Sequence, residues 1–215
     1  MDDVVDAVFA IECRCLPVDH AWALSQAVEA VLPWFATEPG AGLHTIHGAA
    51  SASGWQRPEQ ADDLLQLSHR AKLTLRLPRH RLKDAAALLG RTLEIAGWPL
   101  RVEKLSERPL ARIANLFSRG VLLDDVDDEA AFVAAATREL EALGFRAATM
   151  LCGRATALAT PERSYRTRSL MIAGLTLAGS LELQRRGLGE ARRLGCGVFI
   201  PHKDIGDLRT RSEFD

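Results

Sequence analysis

Residues 8–16, "VFAIECRCL", place an apolar side chain at every second position, with charged Glu12 and Arg14 between them. This period of two predicts a half-buried β-strand. Beyond Pro17, apolar residues recur at helical spacing over residues 19–35, and Asp19 is of the type that caps a helix N-terminus. The chain is therefore expected to begin with a strand followed by a helix.

Strands and helices continue to alternate through the rest of the first half. Residues 42–50, "GLHTIHGAA", predict a short strand, and residues 72–77, "KLTLRL", predict another with leucine at alternate positions. A helix is expected over 79–90, "RHRLKDAAALLG", followed by a strand, a turn at Gly97 and more strand within 91–105. The order is β-α-β-β-α-β.

The second half has nearly the same order of predicted elements. They are a strand in 111–123, a helix over 128–144, strands in 145–153 and 165–179, a short helix over 180–187 and a last strand in 196–202. Each half matches the split βαβ unit. The sequence thus predicts an α+β fold of two tandem ferredoxin-like, or RRM-like, domains that cover residues 1–108 and 109–215.

The formal net charge of −1 conceals an uneven distribution of charge along the 215 residues. Residues 124–141 are mainly acidic, whereas arginine and lysine strongly outnumber glutamate over 154–203. A basic segment of this kind is expected where phosphate groups bind. The same pattern also occurs on solvated surfaces that bind nothing.

Composition argues against several classes of protein. No apolar run approaches the roughly 18 residues of a membrane span, and the acidic start "MDDVVDAVF" is unlike a signal peptide. We therefore expect a cytoplasmic protein with no membrane partner. The four cysteines lack the paired short spacings of a zinc site, and no motif indicates a cofactor, so neither a metal nor a cofactor is expected.

Residues 187–197, "GLGEARRLGCG", form a glycine-rich loop around two adjacent arginines. Glycine allows positive φ and a close backbone approach to a ligand, and a guanidinium can bind a phosphate at two points. The loop lacks the Gly-Lys-Ser/Thr of a Walker loop and the strand-to-helix setting of a dinucleotide fingerprint. It is either an anion-binding loop or a tight helix-to-strand connection without a ligand.

This loop resembles the C-terminal glycine-rich loop of the repeat-associated RNA-binding superfamily of CRISPR systems. The stretches "LPVDHAWALSQAVEAVLPW", "GLHTIHG", "KLTLRLP" and "RTLEIAGWPLRV" resemble, in order and spacing, its repeat-cleaving endoribonuclease branch. The resemblance implies cleavage of CRISPR precursor RNA within a repeat hairpin, without metal, leaving a 5′-hydroxyl and a 2′,3′-cyclic phosphate. It also implies that the glycine loop contacts RNA.

Histidine is the side chain best suited to act as acid or base near neutral pH in such a reaction. His20 is expected in the first turn of the first helix, and His44 lies where family members often carry a histidine. His47 is three residues further on, so in a strand it would face the opposite side, and at most one of the two should enter a given site. His44 is preferred and His47 is held in reserve. Each could instead be an ordinary surface histidine.

The RNA-binding candidates are glycines and cations of the basic segment. They are Gly187, Gly189, Arg192, Arg193, Gly195, Gly197, Lys203, Arg166 and Arg168. The expected partner is CRISPR repeat RNA, as precursor and as guide, with other effector-complex subunits as a further class. Two alternatives stay open: a non-catalytic scaffold subunit that holds guide RNA, and a ferredoxin-like metabolic enzyme or regulator.

Overall fold

The structure is a computed structural model that describes residues 3–48, 63–124, 128–145 and 149–202. Lys203, one of the predicted RNA-binding residues, lies outside these ranges. Within the described residues, none of the helices has both the length and the apolar character that crossing a membrane requires.

The helices and strands alternate along the chain much as the sequence predicts. The strands are β1 (Val4–Glu12), β2 (Cys15–Pro17), β3 (Gly42–His44), β4 (Leu64–Gln66), β5 (Lys72–Pro78), β6 (Thr92–Ile95), β7 (Trp98–Pro109), β8 (Leu116–Val121), β9 (Thr149–Ala159), β10 (Ser164–Ala173) and β11 (Ile200–Pro201). The helices are α1 (Ala21–Val31), α2 (Leu82–Ala85), α3 (Glu129–Ala142) and α4 (Leu177–Arg186).

The first half forms a five-stranded sheet in the order β3-β5-β1-β7-β6, in which neighbouring strands are antiparallel. Without the edge strand β6, this is the ferredoxin-like order, with α1 joining β1 to β3. The helix expected over 79–90 is instead a series of short turns, of which α2 is the one α-helical part. Only Ala85 and Leu88 of this stretch are buried, so little packing supports a regular helix.

The second half forms a four-stranded sheet in the order β11-β8-β10-β9, again antiparallel throughout. Helix α3 joins β8 to β9, and α4 joins β10 to the last strand. This is the ferredoxin-like order a second time. The predicted fold class, tandem ferredoxin-like units, is therefore confirmed, although the last strand is shorter than expected.

Each half has its own apolar core. In the first, the inward side chains of β1 and β5 pack against α1, as the burial of Phe9, Leu75 and Val28 illustrates. In the second, Phe132 of α3 and Leu183 of α4 belong to one buried cluster with residues of β8 and β10. Helices and sheet thus share one core in each half, and the two halves meet at a junction.

Arg76 of β5 lies at the centre of that junction and is fully buried. Its guanidinium donates to both carboxylate oxygens of Asp6, at 2.9 and 3.3 Å. It also donates to the carbonyl oxygens of Gln184 and Phe199 in the second half, at 3.0 and 2.6 Å. One side chain therefore fixes the first sheet against the end of α4 and the segment before β11.

The entry to α1 forms a second bridge between the halves. Asp19 was expected to cap this helix, but His20 occupies the N-cap position and makes no side-chain capping bond. The Asp19 carboxylate instead accepts a hydrogen bond from the backbone N–H of Ala159, at the end of β9, at 2.8 Å. The acid thus contributes to the junction and not to the helix start.

Candidate functional site

A cleft lies between the two halves of the chain, and residues of both halves line it. The first half contributes the loop before α1 and the segment after β3. The second half contributes β8, the β9–β10 hairpin and the glycine loop. The polar residues and glycines that line the cleft are Asp19, His20, Thr45, His47, Arg119, Gly120, Thr156, Thr167 and Gly195.

His20 lies in the wall of this cleft, but its side chain is only 2% exposed. The backbone N–H of Ile46 donates to its Nε2 at 3.1 Å, so Nε2 must be unprotonated. Nδ1 therefore carries the proton and donates to the carbonyl oxygen of Pro17 at 2.8 Å. Both ring nitrogens are occupied by backbone groups, an arrangement that suits positioning better than proton transfer.

His47 also lines the cleft, and its ring is half-buried. Its Nε2 lies 3.0 Å from the hydroxyl oxygen of Thr45, within hydrogen-bond distance. Because His47 lies just beyond the end of β3, the His20–Ile46 hydrogen bond holds its segment against α1. Among the predicted catalytic histidines, His47 has the clearest access to the cleft.

His44, the preferred histidine from sequence, points to the other side of β3. Its Nε2 lies 3.3 Å from the Asp6 carboxylate without the geometry of a hydrogen bond, and its side chain is 14% exposed. On β5, His44 pairs with Thr74. His44 is not among the residues that line the cleft. His44, the preferred histidine, therefore lies in the buried junction, whereas His47 lines the cleft.

The charges around His44 are strongly coupled. Burial opposes ionisation of Asp6, but His44 and Arg76 outweigh it and hold the pKa of this carboxyl well below its usual range. Burial also lowers the pKa of the His44 imidazole from its ordinary 6.5, despite the nearby carboxylate. At neutral pH the junction thus holds an ionised Asp6, a cationic Arg76 and a neutral His44.

The glycine loop is packed against protein on several sides. Gly187, Gly189, Gly195 and Gly197 all have positive φ, between 64° and 88°. A Cβ at Gly197 would overlap the carbonyl oxygen of Leu188, and a Cβ at Gly195 would come within 2.7 Å of Thr45 Cγ2. These glycines are therefore required by turn geometry and by close packing, and of the four, Gly195 lines the cleft.

Arg192 and Arg193 differ sharply in accessibility. Arg192 donates to the carbonyl oxygens of Arg185, at 2.9 Å, and Gly40, at 3.2 Å, so it bridges the two halves. Burial, and then the charge of Arg76, lower its pKa to about 10. Arg193 is 45% exposed and lies 3.5 Å from Glu29 of α1. The guanidinium of Arg192 is thus hydrogen-bonded inside the junction, whereas that of Arg193 is partly exposed to solvent.

Arg166 and Arg168 lie on β10, on either side of Thr167. Because side chains alternate along a strand and Thr167 lines the cleft, these two arginines point to the opposite face of the sheet. Arg168 is buried and donates to the carbonyl oxygen of Gly153 at 2.7 Å, whereas Arg166 is exposed. Neither side chain is brought together with the predicted histidines.

Sequence reasoning missed the wall that β8 and the β9–β10 hairpin contribute. Arg119 lines the cleft from β8, and the hydroxyl groups of Thr156 and Thr167 lie 3.2 Å apart beside it. A weak signal was present, since the isolated Gly120 within a predicted strand is typical of a β-bulge. Threonine pairs in strands carry no comparable signal.

Comparison with known proteins links this geometry to one family. The model of the family described as "Cas6 Crispr" matches residues 5–204 of this chain. The CRISPR-associated endonuclease Cas6 of Myxococcus xanthus (strain DK1622) is 34% identical over 197 residues, which cover 92% of this chain and 81% of that relative.

Solved structures share the fold of this chain. A CRISPR associated protein Cas6 aligns with a TM-score of 0.63 at 11% identity, covering 94% of this chain and 100% of that chain. A RAMP protein that binds different RNA substrates aligns with a TM-score of 0.57 at 13% identity, covering 94% of this chain and 100% of that chain. At such low identity the likeness concerns the fold.

Proposed function

Because the chain belongs to the Cas6 family, we propose that it is a metal-independent endoribonuclease that cleaves CRISPR precursor RNA within the repeat. Its products would be mature guide RNAs, and its specificity would depend on both the sequence and the structure of the repeat. The observation that carries this proposal is the position of the half-buried His47 in the lining of a cleft to which both halves contribute. Such a cleft can hold an RNA backbone between an acid–base group of the first half and Arg119 of the second half.

The proposed reaction is attack by the 2′-hydroxyl on the adjacent phosphorus. A base takes the proton of the 2′-hydroxyl, the new O2′–P bond forms, and the P–O5′ bond breaks. A proton passes to the leaving O5′, which becomes the 5′-hydroxyl, while the other product ends in a 2′,3′-cyclic phosphate. Each proton transfer suits an imidazole near neutral pH.

We assign the proton transfer to His47 and a positioning role to His20. His47 is half-buried, in contact with Thr45, and lines the cleft. His20 uses both ring nitrogens on backbone groups, one of them Ile46 beside His47. Loss of His20 would therefore displace the segment that carries the reacting imidazole.

The RNA is proposed to cross the cleft next to the glycine loop. Gly195 packs so closely against Thr45 that a Cβ at position 195 would lie 2.7 Å from Thr45 Cγ2. RNA bound beside the loop would therefore also contact the segment that carries His47. Arg193 offers an exposed guanidinium at the same turn. Phosphate contacts of this type fix the register of the RNA, whereas unpaired bases supply sequence recognition.

One observation favours the alternative of a non-catalytic guide-RNA scaffold. His20 and His44, two of the three predicted catalytic histidines, are engaged in protein contacts. A scaffold would use the same cleft and loop to hold RNA without proton transfer. The two functions differ in whether the repeat RNA is cut.

The test is incubation of the purified protein, in excess chelator, with the repeat RNA of its own locus. A matched RNA carries a single 2′-deoxy sugar at the cut position. We expect cleavage of the first RNA alone, with a cyclic phosphate end. His47→Ala should abolish cleavage and retain binding, and His80→Ala, at an exposed site outside the cleft lining, serves as the control.

The possible results separate the alternatives. Cleavage that requires added metal, or that persists with the 2′-deoxy sugar, would contradict the proposed chemistry. Binding of both RNAs with no cleavage of either would favour the scaffold. Full activity of His47→Ala would remove His47 from the reaction and leave the endoribonuclease itself intact.

A further inference from the structure

We propose that Arg119 is a catalytic residue of the cleft and that its guanidinium binds the scissile phosphate opposite His47. This inference rests on the endoribonuclease function proposed above and adds a residue that sequence reasoning did not select. His47 comes from the first half of the chain and Arg119 from β8 of the second. Phosphate held in the cleft would thus be contacted from both sides.

Among the described residues that line the cleft, Arg119 is the one with a permanent positive charge. Asp19 contributes a negative charge, and His20 and His47 are imidazoles. A guanidinium presents a planar fork of donors that matches two oxygens of one phosphate. Arg192, one of the two loop arginines predicted to bind RNA, is buried in the junction and is not part of this lining.

Arg119 lies at an irregularity in β8. Between Arg168 and Leu170 of β10, the paired residues on β8 step from Val121 to Ser118, so β8 holds one residue more than its partner. This is a β-bulge, a feature that redirects side chains and recurs beside active sites. Arg119 lies in the bulge, where it is exposed and its Cζ sits 5.9 Å from the ring centroid of Phe117.

The glycine loop fixes this bulge in place. The carbonyl oxygen of Gly120 accepts hydrogen bonds from the backbone N–H of Gly197, at 2.7 Å, and from the hydroxyl of Ser118, at 3.1 Å. A Cβ at Gly120 would come within 3.1 Å of Thr167 Oγ1. The loop therefore acts on the site through β8, because it holds the backbone from which Arg119 projects.

The chemistry requires a cation at this position. When O2′ bonds to phosphorus before O5′ leaves, negative charge accumulates on the non-bridging oxygens of the phosphorane. A preorganised donor that faces those oxygens stabilises the transition state more than the ground state. Removing such a donor slows the chemical step by on the order of 100-fold, with a much smaller effect on ground-state binding.

The experiment compares single-turnover cleavage rates and RNA dissociation constants in excess chelator. Arg119→Gln should lower the cleavage rate about 100-fold while the dissociation constant changes less than about threefold. Arg119→Lys, which keeps the charge but loses the fork, should recover part of the rate. Arg138→Gln, at an exposed position on α3, is the control and should cleave like the wild type. Thermal unfolding of each variant checks that the fold is retained.

Two different results would contradict the proposal, and they can be told apart. If the wild type cuts its RNA and Arg119→Gln cuts it equally fast, or if rate and affinity fall by the same factor, Arg119 has no specific role in the chemical step. If the wild type binds the RNA and does not cut it, the proposed endoribonuclease function fails, and the role of Arg119 fails with it.

Discussion

His20 Nε2 accepts a hydrogen bond from the backbone N–H of Ile46 at 3.1 Å, which joins the start of α1 to the segment that carries His47. Since a backbone N–H can only donate, the bond also fixes the tautomer of His20, whose Nδ1 proton goes to the Pro17 carbonyl oxygen. A buried histidine held in this way organises backbone on two sides. The cleft thus contains His20, whose two ring nitrogens both bond to backbone groups, and the half-buried His47.

The first prediction separates these two histidines by stability. His20→Ala should lower the free energy of unfolding by about 1–3 kcal/mol, because it leaves the buried Ile46 N–H and Pro17 carbonyl without a partner. His47→Ala should change it by less than about 0.5 kcal/mol, as partly exposed side chains generally do. Urea unfolding measures both. Equal effects of the two substitutions would contradict the division of roles.

The second prediction concerns the close approach of the glycine loop to β3. Gly195→Ala places a Cβ 2.7 Å from Thr45 Cγ2 at a φ of +88°. The left-handed backbone alone costs about 1–2 kcal/mol, and the contact with Thr45 adds to it. Because Thr45 lies two residues before His47, we expect the cleavage rate to fall together with the free energy of unfolding.

The chain offers a matched control for this substitution. Gly90 also has a positive φ, of 74°, but a Cβ there meets nothing within 4 Å. Gly90→Ala should therefore show the backbone cost without the loss of cleavage. Urea unfolding and single-turnover cleavage are measured for both variants. A loss of cleavage as large in Gly90→Ala as in Gly195→Ala would show that contact with Thr45 is not the cause.

Local sequence patterns were sufficient to predict the fold class. The alternation in "KLTLRL" reports which side of β5 faces the core, and the spacing of apolar residues reports the buried side of α1. Both depend on neighbours within a few residues of the chain. The helix expected over 79–90 did not form as a regular helix, because its regularity depends on packing that the local pattern does not report.

The site depends on contacts that no local pattern contains. Alternation separated His44 from His47, but which of them enters the cleft is decided by where the second half packs. Arg192 looked like a phosphate ligand next to glycines, yet the Gly40 carbonyl oxygen, 152 positions away in the chain, takes its guanidinium. Arg119 was missed because nothing local to β8 reports that this part of the strand lines a cleft with the first half of the chain.

The third prediction tests the ion pair at the centre of the junction. Arg76→Met removes both hydrogen bonds to Asp6 and the donors to the Gln184 and Phe199 carbonyl oxygens. Breaking a buried pair of this kind costs about 3–5 kcal/mol, because a charge is left without compensation. Urea unfolding should show this loss. Arg108 is the matched control, since it contacts the same carboxylate at 3.2 Å but is 58% exposed.

Exposure sets the expected result for that control. Arg108→Gln should cost less than about 1 kcal/mol, as exposed ion pairs do. If Arg76→Met were as mild as Arg108→Gln, the junction would not depend on the buried guanidinium. A loss confined to Arg76→Met supports the view that this residue holds the two halves together.

The fourth prediction concerns the pH dependence of stability through His44. Burial lowers its pKa in the folded state below the ordinary value of 6.5, so on acidification the unfolded chain takes up the proton first. Stability from neutral His44 is therefore present above about pH 6.5 and is lost as the pH falls below it. Asp6, whose pKa is held below its ordinary value of 3.8, stays ionised throughout this window and adds no slope there.

The measurement is urea unfolding of the wild type and His44→Gln at about pH 5, 6 and 7.5, a range that spans the ordinary histidine titration. Glutamine keeps a polar side chain beside Asp6 but does not titrate. The wild type should lose stability relative to His44→Gln as the pH is lowered, because at this position only the wild type gains a proton on unfolding. Parallel curves for the two proteins would mean that His44 titrates alike in the folded and unfolded chains. A wild type that gained stability relative to His44→Gln on acidification would mean that Asp6, and not burial, dominates the imidazole.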